Sequence, residues 1–360
     1  MRGKKLFLIL LSLALMTILL SAPVSARGDS SSWERRFDIR IWGFDLVFKR
    51  IGSPLFAGVD TGYFLSLGGG LETFGFYREI DHKVYVPPQN GTNLALYKNA
   101  NITWSLGLNQ GLLYDPTRGR NSLEAILFYH GRYDDHCPDR TPQALLFASD
   151  LPDRKGGLQN SIFAGLVYNG VDTNSECWSK QGWHAETSLE FAPLSLFNAS
   201  SGADYTRFNG TLLGFITFLE GRDLSIYLGE RLMYDQLCGD YIPVRSRTTL
   251  GGYSKYPYFT RGLGGGVRGV EVDRFDGYIK ALNNLELRIN FPRWSEYGVV
   301  PELIFYFDAG VYDNLSHKLD WDNLLTSAGI GVGVSDLLVY GSYFFNERRF
   351  SFELAFGVHF

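Results

Sequence analysis

The last eleven residues of the chain alternate between two kinds of side chain. The apolar ones stand at even positions: Phe350, Phe352, Leu354, Phe356, Val358 and Phe360. Between them lie only polar or small residues: Ser351, Glu353, Ala355, Gly357 and His359. Successive side chains of a β-strand point to opposite faces, so the segment predicts a strand with one apolar face. A transmembrane barrel turns such a face to lipid, whereas a soluble protein buries it against a second layer.

The N-terminus has the pattern of a secretory signal peptide over residues 1–26. Three basic residues in the first five positions precede a largely apolar run from Leu6 to Leu20, and Val24-Ser25-Ala26 provides small residues for cleavage. The run is short for a membrane anchor, which is the alternative interpretation. No cysteine follows the run, which argues against a lipoprotein. We expect residues 27–360 to form one exported domain.

The composition favours a membrane barrel. Hydrophobic residues make up 45% and aromatic residues 15% of the chain, with 27 Phe and 21 Tyr. Beyond the N-terminal run, no stretch approaches the roughly 20 consecutive apolar residues of a membrane helix. Alternating apolar and polar residues give a barrel this profile. A net charge of −4 provides no reason to expect a nucleic-acid partner.

The cysteines and histidines do not point to a metal, a cofactor or a catalytic centre. Cys137, Cys177 and Cys238 lack zinc-ligand spacing, and the six histidines are scattered. No nucleophile with a positioned base is apparent, so we expect neither a cofactor nor enzyme activity. Loop parity predicts Cys137 and Cys238 on the outside and Cys177 on the periplasmic side. If a disulfide forms within the chain, Cys137–Cys238 is the pair on one side of the membrane.

Strand-like segments follow one another from about Phe37 to the C-terminus, without an amphipathic helix or a long linker. The clearest are 101–113, 121–131, 161–168, 184–192, 205–218, 224–234, 279–291, 300–311, 324–334, 337–345 and 350–360. Earlier strands near 38–48 and 55–76 are less well bounded. The pattern predicts an all-β fold, a transmembrane antiparallel β-barrel of 12 to 16 strands. The alternative is a soluble lipocalin-like or sandwich protein of the periplasm.

The lengths of the turns predict the orientation, because outer-membrane barrels have short periplasmic turns and longer outside loops. Residues 220–222 and 335–336 form tight turns, so we place them in the periplasm. Residues 132–159 and 236–277 form long segments, so we place them outside. Counted alternately, the C-terminal strand then ends in the periplasm.

Charged residues indicate which face of two strands points inward. Glu286 and Arg288 alternate with the apolar residues of 285–291. A charged group on the lipid face near the midplane costs on the order of 2–4 kcal/mol, so both side chains should face the lumen. By the same alternation, Glu302 and Asp308 share a face, which should also be the lumen face.

Four segments in the C-terminal part resemble a known family when taken together. The long loop contains Gly264-Gly265-Gly266-Val267-Arg268-Gly269-Val270; after it come ALNNLELRINFP at 281–292, FYFDAG at 305–310 and SAGIGVGV at 327–334. In that order they resemble the bacterial surface antigen barrel of the BamA/TamA superfamily of outer-membrane assembly proteins. The resemblance is best over 159–360 and includes Val171–Asn174, Gln181–Trp183 and Tyr205–Arg207. It favours sixteen strands.

The resemblance implies a role for the long loop. In that family a Val-Arg-Gly motif at the loop tip folds back into the lumen, where its arginine meets acidic residues of neighbouring strands. Here the motif is Val267, Arg268 and Gly269, in a plug loop at 236–277, and the expected partners are Glu286 and Asp308. Glycines beside the arginine allow a sharp turn, and a guanidinium can fork between two carboxylates. From the residues alone, a solvated loop charge is the alternative.

The two ends of the chain carry further implications of the resemblance. Phe356, Val358 and Phe360 resemble the C-terminal signal that the assembly machinery reads, although Ala355 stands where glycine is usual. Only about ten residues separate Ala26 from the first strand, which leaves no room for the POTRA modules of the family's assembly members. We therefore expect a stand-alone barrel of the bacterial outer membrane.

Two functions stay open at this point. The first is an outer-membrane barrel that assists insertion or translocation of proteins or lipids, through a weak seam between its first and last strands. The second is a structural or channel-forming barrel without assembly activity, which the missing POTRA modules favour. The expected partners are outer-membrane lipids and, for the first function, client outer-membrane proteins or the assembly machinery.

Overall fold

A computed structural model describes residues 32–40, 43–51, 59–74, 78–80, 83–85, 97–137, 156–253, 266–270, 275, 277–313, 318–334 and 337–356. The fold belongs to the compact unit Trp33–Phe360. The predicted signal peptide, Val358 and Phe360 lie outside the described residues, and Phe356 is described by its backbone alone.

The described residues form strands and two short helices. The strands are β1 (Ser32–Arg40), β2 (Gly43–Ile51), β3 (Thr61–Phe74), β4 (Arg78–Ile80), β5 (Lys83–Tyr85), β6 (Tyr97–Asp115), β7 (Arg120–Cys137), β8 (Gly157–Asn169), β9 (Asp172–Asn174), β10 (Ser179–Ala192), β11 (Asp204–Leu219), β12 (Ser225–Tyr241), β13 (Ile279–Asn290), β14 (Pro301–Asp313), β15 (Asp320–Val334), β16 (Leu337–Phe344) and β17 (Arg349–Phe356). Helix α1 spans Val244–Arg247, and a 3-10 helix spans Pro292–Tyr297. No helix among the described residues is long and apolar enough to cross a membrane.

Fourteen of these strands lie on one path of neighbours. Its order is β1-β2-β3-β6-β7-β8-β10-β11-β12-β13-β14-β15-β16-β17, so successive long strands lie side by side. The pairs from β2 to β17 are antiparallel. Strand β9 adds to β10, and β4 pairs with β5. The described residues thus place fourteen strands in this meander, within the predicted 12 to 16; the sixteen that the resemblance favours are not reached.

The two faces of the sheet differ in the way that a membrane barrel requires. On β13 every second residue is buried, and the buried set includes Glu286 and Arg288, each 2% exposed. On β17, Phe350, Phe352 and Leu354 expose 74%, 83% and 60% of their surface. A soluble lipocalin-like or sandwich protein would bury the aromatic residues and expose the charges. The observed arrangement therefore contradicts that alternative and fits a lipid-facing outer wall with a polar inner face.

Glycines on the inward face of β15 make room for large side chains of its neighbours. A Cβ atom on Gly331 would lie 2.7 Å from the ring of Tyr340, on β16. A Cβ atom on Gly329 would overlap the carbonyl oxygen of Gly341 and the hydroxyl of Tyr306, on β14. The rings of Tyr306 and Tyr340 meet edge to face, with centroids 5.7 Å apart. The glycines of the SAGIGVGV segment thus provide the space for this tyrosine pair.

The predicted strand near 38–48 is wrong, because this stretch contains parts of β1 and β2. The sequence does carry a signal of the break. Phe37 and Ile39 place apolar residues at odd positions, whereas Phe44 and Leu46 place them at even positions. Alternation that changes phase cannot come from one regular strand, since every second side chain of a strand shares a face.

Two of the predicted outside loops are shorter than expected. Strand β7 continues to Cys137, β8 begins at Gly157, and β12 continues to Tyr241. The strand extensions are polar but paired, as when the amide of Asn99 donates to Asp134 across β6 and β7 at 2.6 Å. These polar strand ends lack the apolar alternation that marks a strand in a sequence, so they resemble loops.

The extension of β12 changes the place of Cys238, which lies in that strand rather than at the start of the plug loop. Its thiol is free and exposed, so the conditional Cys137–Cys238 disulfide is absent here. Cys177 is also free and lies in the turn before β10, at the opposite end of the sheet from Cys238. The predicted separation of these two cysteines therefore agrees with the strand order.

Gly329→Ala is expected to lower the free energy of unfolding by about 1–3 kcal/mol, because overpacking a well-packed site usually costs this much. The added methyl group must displace the β16 backbone or the Tyr306 ring. Urea titration of the detergent-folded protein measures the change. Gly214→Ala is the matched control, because no atom lies within 4 Å of a Cβ at this β11 position. Equal stability of the two variants would contradict the packing described above.

Candidate functional site

The described residues between β12 and β13 pack against the inward face of the sheet. They include α1 and the short stretch 266–270. Leu250 and Val267 are almost completely buried, and they cluster with Met233 of β12 and Leu282 of β13. The described part of the loop therefore folds inward, against side chains of the strands that flank it.

The guanidinium of Arg268 forms a fork on Asp308 of β14. Its Nε donates to Oδ2 at 2.8 Å, and its Nη2 donates to Oδ1 at 2.6 Å. The backbone N–H of Arg268 also donates to Oδ2, at 2.9 Å. Nη1 donates to Glu286 of β13, so one side chain joins two neighbouring strands. Paired N–H donors on one carboxylate fix the geometry as well as the charge.

Two aromatic rings contact the same guanidinium. The Cζ atom of Arg268 lies 3.6 Å from the ring centre of Tyr306 and 5.3 Å from that of Tyr340. A desolvated cation over an aromatic face gains about 2 kcal/mol. Burial alone would lower the pKa of this loop arginine, but the hydrogen bonds and the charge of Asp308, with the charge of Glu286, raise it. The guanidinium is therefore held in its charged form.

The ion pairs continue along the inner wall. Arg288 of β13 lies 2.7 Å from the second carboxylate oxygen of Glu286 and 3.3 Å from Glu302 of β14. Acid and base thus alternate in a row from Asp308 through Arg268, Glu286 and Arg288 to Glu302. All five side chains are buried. A buried charge without a partner is strongly destabilising, so each member of the row depends on its neighbours.

The residue after the arginine contacts the last strand. The N–H of Gly269 donates to the carboxylate of Glu353 on β17 at 3.0 Å, and its carbonyl accepts from Arg349 of β17 at 3.0 Å. Its φ of 88° lies in the left-handed region that glycine tolerates. A Cβ atom here would lie 3.0 Å from Ser342 and 3.1 Å from Ser351. Glycine is therefore required both for the turn and for the close approach to β16 and β17.

A second cluster of charges holds the beginning of the loop. Lys280 of β13 donates to the carbonyl oxygens of Arg247, at 2.6 Å, and Thr249. Arg207 of β11 donates to the carbonyls of Ser246 and Thr249. Both cations also have a carboxylate partner. Arg207 Nη1 lies 3.2 Å from Glu190, and Lys280 Nζ lies 3.5 Å from Asp235. The loop is thus fixed to the inner wall at two separate places.

The structure brings together three of the predicted site residues and adds further residues that were not predicted. Arg268 contacts both Glu286 and Asp308, Val267 belongs to the apolar cluster, and Gly269 donates to Glu353 of β17. Sequence reasoning missed the tyrosine pair and the Arg207–Lys280 cluster. A signal for the cluster existed, because alternation places Arg207 on the inward face, where a charge needs a partner.

Arg268→Ala is expected to reduce the free energy of unfolding by about 3–5 kcal/mol, because it leaves Asp308 buried without a cation and Glu286 with Arg288 alone. The loosened loop should also raise the single-channel conductance in planar bilayers. Arg222→Ala serves as the matched control, since this arginine is 83% exposed in a turn and lies 3.5 Å from an exposed Glu176. Equal thermal resistance and conductance in both variants would show that Arg268 does not anchor the loop.

Comparisons with known proteins support the fold. No protein-family model matches the chain, and no curated protein matches its sequence. The structure is similar to the crystal structure of BamA from Haemophilus ducreyi lacking POTRA domains 1–3, with a TM-score of 0.51 and 15% sequence identity. The match covers 90% of this chain and 63% of that chain, so this chain spans less than two thirds of its length. At this identity the similarity establishes a BamA-like barrel fold and nothing finer.

Proposed function

We propose that this chain is an outer-membrane β-barrel that assists the insertion or translocation of proteins or lipids at the outer membrane. The contact between the inner loop and the last strand carries the proposal. Gly269 bonds through its N–H to Glu353 and through its carbonyl to Arg349, both on β17. The similarity to a BamA barrel and the apolar outer wall support the location in the outer membrane.

The proposed mechanism uses the two ends of the strand path. Strands β1 and β17 are the terminal strands of the described path. In lipid, unpaired backbone groups strongly demand partners, so an opened edge would act as a template for a client strand. The bonds from Glu353 and Arg349 to Gly269 use inward-facing side chains. They can hold β17 in place while the backbone groups along its outer edge exchange partners.

The anchored loop argues against the alternative of a freely open channel. Hydrogen bonds from Arg207 and Lys280 to backbone carbonyls hold the loop at its start. Buried ion pairs from Arg268 to Asp308 and Glu286 hold it at its tip. Breaking one buried pair by removing a partner costs about 3–5 kcal/mol, so the loop should stay inside under ordinary conditions.

The function is tested with the purified chain in lipid vesicles. An unfolded small barrel protein is diluted from urea into these vesicles, and the appearance of its heat-modifiable folded band is followed. We expect insertion to be at least several-fold faster than into empty vesicles. Glu353→Ala, which removes the bond to Gly269, should slow insertion, whereas Glu176→Ala in an exposed turn should not. A rate equal to that of empty vesicles would favour the structural or channel-forming alternative.

We also propose that Phe356, Val358 and Phe360 form the signal through which the assembly machinery receives this chain. Deleting Phe360 should sharply lower the amount of protein in the outer membrane, measured by surface labelling, while refolding in detergent stays efficient. His359→Ala changes the opposite face of the predicted strand and should leave the amount unchanged. Normal surface levels of the deletion variant would contradict the signal.

A further inference from the structure

The outer wall carries a carboxylate between apolar neighbours. Glu230 is exposed on β12, where Leu228 and Leu232 share its face and the intervening Gly229 belongs to the inward face. It is the sixth residue of a strand that begins at Ser225. A membrane strand needs about 9–11 residues, so this position falls near the middle of the lipid-facing wall. Ionisable groups at such depth are costly and mark functional positions.

Asn283 of β13 is beside this carboxylate on the same outward face. Its carboxamide Nδ2 donates to Glu230 Oε1 at 2.8 Å. A carboxamide has two N–H groups, and a carboxylate can accept several hydrogen bonds. The pair therefore offers both a donor and an acceptor toward the membrane. Acyl chains supply neither, and lipid headgroups lie at the membrane surface rather than at this depth.

A groove of about 550 Å³ adjoins the pair, and Asn283 contributes to its lining. Small residues from three strands contribute to its lining: Gly210 of β11, Ala281 of β13 and Ala309 of β14. Leu232 and Trp321 are larger side chains at its sides, 42% and 71% exposed respectively. Within membranes, small residues let a second backbone approach closely, and polar side chains then bond across the contact. The groove and the pair together have the character of a protein-binding face.

We infer that this face, formed by Glu230, Asn283 and the adjoining groove, binds a second copy of this chain about a two-fold axis. In a two-fold interface the same patch meets itself, so each patch must be complementary to its own copy. The Glu230–Asn283 pair meets that condition, because it presents an acceptor and a donor side by side. Asn283 of each copy can donate to Glu230 of the other while it keeps its bond within the chain. This inference is independent of the proposed function.

The oligomeric state of the full chain tests the inference. Light scattering in detergent and in lipid nanodiscs is expected to give the mass of a dimer. Glu230→Leu should raise the dissociation constant at least tenfold, while its heat-modifiable band shows that the barrel is folded. Glu230→Gln keeps an acceptor and adds a donor, so it should remain dimeric. Thr187→Leu removes an exposed polar residue of β10, away from the groove, and should also remain dimeric.

Cross-linking in intact membranes locates the contact. With the three native cysteines replaced by serine, Leu232→Cys should give an oxidised band of twice the chain mass. Leu166→Cys is the matched control, since this leucine is similarly exposed on the outer wall of β8, at 44% against 42%. A monomer in nanodiscs at every concentration, a Glu230→Leu variant that dimerises like the unmodified chain, or a cross-link to a different protein would each overturn the inference.

Discussion

The fork between Arg268 and Asp308 is the interaction on which the rest of the inner face depends. Taking a guanidinium and a carboxylate out of water costs several kcal/mol per ion, and their attraction offsets this only with good geometry and further hydrogen bonds. Arg268 has both, because its backbone N–H and side chain bind the same carboxylate. Its Nη1 group donates to Glu286, whose other carboxylate oxygen binds Arg288. The four charges Glu286, Arg288, Glu302 and Asp308 on the inward face of β13 and β14 are thus linked to one buried arginine.

The packing around Arg268 also accounts for the alternating glycines of β15. Its guanidinium lies on the ring of Tyr306, and that ring occupies the space left by Gly329. The glycines of β15 therefore leave the space for the ring that contacts a cation of the loop. A side chain at Gly329 would push the ring away, and the guanidinium would lose an aromatic face as well as its close packing. Loop, tyrosines and glycines consequently form one structural unit.

Alternation predicted most strands and their inward faces because a charge facing lipid is costly, so Glu286, Arg288 and Asp308 could be assigned to the interior. The partnership of Arg268 with Asp308 came from the family resemblance, since nothing local relates a loop residue to a strand forty positions later. Alternation places Arg207 on the inward face, but the contacts of Arg207 and Lys280 with the loop were missed because the acceptors there are backbone carbonyls, which have no sequence signature. Glu230 was missed because it faces outward, whereas the other charges were assigned on the rule that charged side chains of a membrane strand face the lumen.

Strands β12 and β13, near the middle of the path, carry polar contacts on both faces of the wall. On the inner face of β12 and β13, Arg231 donates to Asn284, and Asn284 donates in turn to the carbonyl of Gly266 in the loop. On the outer face, Asn283 donates to Glu230. Three strands, β14 to β16, separate β13 from β17, the end of the path. A second copy docked on β12 and β13 would therefore leave β17 accessible, so dimerisation on this wall is compatible with strand exchange at the proposed seam.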